Sequence, residues 1–117
     1  MKLLIMLCLM LTSFSSSAVW LNTTGKVKSI SVYAGKDTIL VNLDSAGAKI
    51  NECSSPSTFA ISSTNTPEQR ARLYSTLLAA QAAGRSVTLA YNDVGNCEAW
   101  GANAHAYRRI VRISLGG

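Results

Sequence analysis

The side chains with chemistry to offer crowd into one stretch, Ala90–Ala106, which reads "AYNDVGNCEAWGANAHA". It holds Cys97, Trp100 and the single histidine, His105, among Gly95, Asn96, Gly101 and Asn103. An imidazole titrates near neutral pH, and a carboxylate can orient it for general acid–base work. His105 with Asp93 or Glu98 therefore has suitable residue types. Their spacing matches no catalytic signature, and the chain has no phosphate-binding loop and no dinucleotide fingerprint. No catalytic residue is assigned, and a non-enzymatic protein is expected. With no second Cys pair and no clustered histidines, no metal site and no cofactor are expected.

Trp100 suggests binding instead. A ring beside a glycine in a polar loop can stack on the apolar face of a sugar, and nearby amides can serve its hydroxyls. Trp100, Asn96, Asn103 and Tyr91 are the candidate glycan-binding residues. Two placements of the Trp100 ring stay open at this point: outward towards a ligand, or folded inward over one end of the fold.

Cys97 raises the question of compartment. The chain opens "MKLLIMLCLMLTSFSSSAVW". Lys2, the apolar run Leu3–Leu11 and the small residues Ser16-Ser17-Ala18 have the layout of a secretory signal peptide. The run is too short for a membrane-spanning helix, which needs about 20 residues. Cys8 follows the large Leu7, which does not suit lipoprotein cleavage. Cleavage after Ala18 leaves one domain, residues 19–117, and two cysteines, Cys53 and Cys97. An even count in an exported chain implies a disulfide. It closes a loop of about 45 residues, worth up to about 4 kcal/mol in the chain-entropy picture.

Eleven Lys and Arg against six Asp and Glu give the full chain a net charge of +5. Loss of Lys2 lowers this by one. Such a charge weakly favours acidic surfaces or glycans and sets no fold. Lys26, Lys28, Arg108, Arg109 and Arg112 read as a solvated sheet face. Nucleic acid is not expected as a partner, because the aromatic residues interleaved with the basic ones are too few for a stacking groove.

The elements that must position these residues are legible. Thr24–Tyr33 alternates with a slip in phase: Val27 falls on one face, Ile30 and Val32 on the other. That predicts a bulge near Lys28–Ser29. Thr38–Leu43 places Ile39, Val41 and Leu43 on one face, and Phe59 and Ile61 mark a short third strand. Thr66, Pro67 and Gln69 form a capping box with proline at the first helical position, and Gly84 fits the C-cap. Leu73, Tyr74, Leu77 and Leu78 supply the apolar stripe of this helix. The alanines at 79, 80, 82 and 83 favour helix and also permit close approach of another backbone. Val87, Leu89 and Tyr91 share one face of a fourth strand. In the fifth, Tyr107–Leu115, Val111, Ile113 and Leu115 share one face, and Arg108 and Arg112 the other. The order β-β-β-α-β-β, with a long bulged first strand, is that of an OB-fold-like five-stranded Greek-key barrel, mainly β with one helix.

The run "CSSPSTFAISSTNTPEQRARLYSTLLAAQAAGRSVTLAYNDVGNC" resembles small exported bacterial proteins similar to the B subunit of subtilase cytotoxin. The shared plan is a Cys, a short F-x-I strand, a helix carrying "YSTLLAAQAAG", a strand opening on a basic residue and Ser-Val, and a second Cys. The resemblance spans Gly25–Ile113. It implies an OB-fold, a ring pentamer with its helices at the centre, a toxin A subunit docked there, and a cell-surface glycan as ligand. No sugar-binding residue of that family maps onto a matching position here. The sequence thus supports two expectations. One is an exported glycan-binding module like a toxin B subunit; the other is a monomeric secreted or periplasmic factor that binds or inhibits another protein.

Overall fold

A computed structural model describes residues 19–116. The expected signal peptide lies outside the described residues. The described residues are mainly β, with six strands and one helix among them: β1 (Trp20–Val32), β2 (Ile39–Leu43), β3 (Thr58–Ile61), α1 (Pro67–Ala83), β4 (Ser86–Asn92), β5 (Cys97–Trp100) and β6 (Asn103–Leu115). The strand count corrects the expected five, because Cys97–Trp100 is a strand rather than part of a loop. It pairs with the first half of β6, Cys97 opposite Arg108 and Trp100 opposite Asn103.

β1 serves two neighbours. Residues 20–26 run antiparallel to β4, and residues 27–32 run antiparallel to β2. The change of partner falls at the bulge, where the register steps from Val27–Leu43 to Ser29–Asn42 and leaves Lys28 as the extra residue. A bulge bends a strand and increases its twist, which is what a strand shared by two neighbours needs. β2 then pairs β3, β4 pairs β6, and β3 lies parallel to β6 through Phe59–Arg108 and Ala60–Arg109. The pairings β1-β2-β3-β6-β4 and back to β1 therefore form a circuit. β5 hangs on β6 outside it.

The core fills the inside of these strands with Val41, Phe59, Ile61, Leu77, Val87, Leu89 and Tyr91, all with 1 % exposure or less. The helix behaves as its sequence requires. Thr66 Oγ1 accepts from the Gln69 backbone N–H, and Gln69 Oε1 accepts from the Thr66 N–H. Gly84 closes it at φ 65°, in the left-handed region open to glycine. Of the expected stripe, Leu77 is fully buried and Leu73 and Tyr74 pack partly against the core, but Leu78 is 45 % exposed. Ala80, not Leu78, is the second buried position of α1, so the contact face lies about one residue round from the expected one.

β6 departs most from expectation. Ala106, Arg108 and Ile110 are buried, Arg112 and Leu115 are exposed, and Val111 and Ile113 are in between. The cause is a second bulge: the register steps from Ala90–Arg112 to Tyr91–Ile110, so Val111 has no partner on β4. One extra residue reverses the alternation. It carries Arg108 to the interior side, against the expected solvated face.

The Cys53–Cys97 disulfide is present, with a Cα–Cα distance of 5.6 Å. It ties the long β2–β3 connection to β5. That connection is also laced to β6, since the Ser54 and Ser55 N–H groups donate to the His105 and Ala106 carbonyls at 3.0 and 2.9 Å.

Candidate functional site

The disulfide decides what stands beside Trp100. Cys97 begins β5 and Trp100 ends it, so the residues just after Cys53 are drawn against the same hairpin. A cleft of about 290 Å³ results, lined by Ser54, Ser55, Thr58, Trp100, Asn103, Ala106 and Tyr107. Its floor is aromatic. The Trp100 ring meets Tyr33 edge-on at 5.2 Å and Tyr107 edge-on at 5.8 Å, and the Lys36 ammonium lies 4.7 Å from its centroid. Tyr33 and Tyr107 each contact Trp100 and hold it in place while leaving it partly exposed. Its ring is thus neither folded into the core nor free in solvent.

The polar wall is ordered as well. Asn103 Nδ2 donates to Ser54 Oγ at 2.7 Å, and Asn103 Oδ1 accepts from the His105 N–H at 3.0 Å. Ser55 Oγ accepts from the Thr58 N–H, and Thr58 Oγ1 donates to Asn42 Oδ1. An aromatic floor with an amide and hydroxyls at its margin can stack on an apolar ring face and exchange hydrogen bonds with hydroxyl groups.

The four residues singled out in sequence part company. Trp100 and Asn103 share the cleft. Asn96 lies elsewhere: it is held at φ 55°, and its Oδ1 accepts from Arg109 Nη1 at 2.9 Å. Tyr91 is 1 % exposed and packs edge-on against Phe59 at 5.1 Å. Its hydroxyl bonds Thr23 Oγ1 at 3.0 Å and accepts from the Ala48 N–H at 2.9 Å, so it anchors the β2–β3 connection. Tyr91 faces the core, because it occupies an inward position of β4. His105 is exposed.

Two charges close to Trp100 in sequence are buried, and the sequence announces the burial of neither. Glu98 is 1 % exposed. Its carboxylate accepts from Thr38 Oγ1 at 2.5 Å, Ser62 Oγ and Ser63 Oγ at 2.8 Å each, the Ser63 N–H at 2.9 Å, and Arg109 Nε at 2.8 Å. Burial alone would raise its pKa. The bonds from Thr38, Ser63, Arg109 and Ser62 outweigh that and hold it at about 2, against an ordinary 4.5. Glu98 could have been suspected from its place between Cys97 and Trp100, but nothing in its neighbours announces a buried acid.

Arg108 is the second charge, also 1 % exposed. Its guanidinium lies 3.8 Å from the Phe59 ring centroid and 5.4 Å from that of Tyr91. Nη1 donates to the Ala46 and Ala48 carbonyls, and Nη2 to that of Pro56. It thereby pins the connection that carries Ser54 and Ser55. Burial lowers its pKa, partly offset by Tyr91. The arginines expected on a solvated sheet face are thus divided. Arg108 is inside, Arg109 is paired with Glu98, and Arg112 is outside, donating to Asn22 Oδ1 and lying over Trp20.

Among the described residues, no cluster of His, Cys, Asp and Glu has the arrangement to hold a metal ion, and no helix is long and apolar enough to cross a membrane. No family model, curated protein or solved structure matches the chain.

Proposed function

We infer that this chain is an exported, non-enzymatic binding protein whose ligand is a glycan, seated on Trp100 and hydrogen-bonded by Asn103 and the hydroxyls of Ser54, Ser55 and Thr58. The observation that carries the reading is the pairing of a partly exposed Trp100, braced by Tyr33 and Tyr107, with Asn103 in one cleft. Sugars are bound by such combinations of ring face and amide because each hydroxyl both donates and accepts.

The architecture supports the reading at the level of plan. We take the circuit of pairings, the parallel β3–β6 contact and a helix between β3 and β4 as an OB-fold-like barrel with an added β5 hairpin. The resemblance to subtilase cytotoxin B subunits adds a ring pentamer, with a toxin A subunit as partner, in a secreted or periplasmic setting. The disulfide suits that setting.

A glycan array probed with the mature protein and with Trp100→Ala tests the ligand. Binding to a defined group of glycans, lost in the variant, is expected; an array blank for the wild-type protein overturns the reading. Sedimentation tests the ring, which a strict monomer at micromolar concentration would exclude.

A further inference from the structure

We propose that the groove between the N-terminal half of α1 and β6 is a docking site for an acidic, extended peptide segment of another protein. Two adjoining depressions, of about 270 and 210 Å³, share Asn65, Leu73 and Val111 and so run into one another. One is bordered by Arg72 and the other by Arg109. No Asp or Glu lines either. The groove stands apart from the Trp100 cleft, with which it shares no lining residue, and the proposal holds whether or not that cleft takes a sugar.

Three features shape it for such a ligand. The first is the β6 bulge, which takes Val111 out of pairing with β4 and leaves it on the groove floor beside Leu73. Bulges commonly re-aim a side chain in this way. The second is Arg109, whose guanidinium is fixed before any ligand arrives: Nε donates to Glu98 and Nη1 to Asn96. A fork anchored on one side loses little freedom when its remaining N–H groups meet a carboxylate. The third is Arg72, which is exposed on α1 beside the shared floor.

Glu98 already offsets the charge of Arg109, so Arg72 carries the net positive charge of the groove and Arg109 offers its remaining N–H donors. An aliphatic floor between the two asks for a ligand that alternates carboxylates with aliphatic side chains. An extended peptide does so, because successive side chains project to opposite sides. The chain does not supply such a segment itself. Residues 1–18 contain no Asp or Glu, and the six acidic residues of the whole chain are scattered singly. Charge complementarity therefore selects a different protein as partner.

The test is fluorescence anisotropy at near-physiological salt with a short labelled peptide alternating aspartate and leucine. A lysine–leucine peptide and inorganic phosphate serve as controls. Saturable binding of the acidic peptide is expected, weakened at least about tenfold by Arg72→Glu and by Val111→Asp and unchanged by Trp100→Ala. Amide resonances of Leu73, Asn96 and Val111 should shift on titration. Arg72→Glu lies on an exposed helical face, so it folds even if Val111→Asp does not. The proposal is overturned by equal binding of the basic peptide, by full competition from phosphate alone, by indifference to Arg72→Glu, or by loss of binding in Trp100→Ala.

Discussion

The Glu98 carboxylate accepts the Nε–H of Arg109 at 2.8 Å, and the pair sits at the seam where β3, β5 and β6 meet. Around the same carboxylate gather Thr38, just before β2, and Ser62 and Ser63, just after β3. Three separate pieces of chain are thus tied to one buried charge on a fourth. Glu98 is the enclosed half of this pair, while Arg109 keeps 24 % side-chain exposure. Removing the partners of Glu98 would leave a buried carboxylate uncompensated, which is costly.

Acid should therefore weaken this fold through Glu98. Its folded pKa, about 2, lies below its ordinary 4.5. The stability it contributes is complete above the ordinary value and is lost as pH falls from about 4.5 towards 2. A depression of this size is worth on the order of 3 kcal/mol. Urea unfolding at a series of pH values should show that loss in the wild-type protein and a flatter profile in Glu98→Gln. Identical profiles for the two would remove Glu98 from the account.

Reduction should cost more than a local contact does. The Cys53–Cys97 bond closes 44 residues and holds the cleft wall to the hairpin. The double variant Cys53→Ala/Cys97→Ala is expected to melt on the order of 10 °C lower than the wild type. Thermal melts with and without reductant measure this, and equal midpoints contradict it.

Arg108 is expected to matter for packing as much as for charge. Truncation to alanine removes the donor to the Ala46, Ala48 and Pro56 carbonyls and uncovers the face of Phe59. A loss of at least about 2 kcal/mol follows. Arg108→Lys keeps the charge but not the planar stack or the fork, so it should recover only part of the loss. Chemical denaturation of both variants decides; full rescue by lysine would contradict the stacking argument.

The helix cap offers a smaller, cleaner number. Thr66→Ala removes the acceptor for the Gln69 N–H and should cost about 1 kcal/mol. Hydrogen exchange of the first turn of α1 reads it directly, and unchanged protection there would contradict the capping assignment.

What could be read in advance follows from physics that is local in the chain. The capping box at Thr66, the left-handed Gly84, the slip of phase at Lys28 and the even cysteine count each reside in a few adjacent residues. What could not be read depends on contacts between distant segments. β5 has only four residues and buries a glutamate, so it shows no apolar alternation. Arg108 is buried because a bulge three residues later reverses the phase of β6, and nothing in "YRRIVRISL" marks that step. The alternation of β4 puts Tyr91 on one face with Val87 and Leu89, but only the fold shows that this face looks into the core rather than at a ligand. Ser54 and Ser55 join Trp100 through the disulfide, a neighbourhood that the cysteine pairing already implied.

The most direct trial of the glycan reading is an NMR titration of the mature protein with a glycan selected on the array, following side-chain resonances. The account predicts shifts of the Trp100 indole N–H and the Asn103 side-chain amide, with the Trp20 indole unmoved. Binding that moves neither Trp100 nor Asn103 would contradict it.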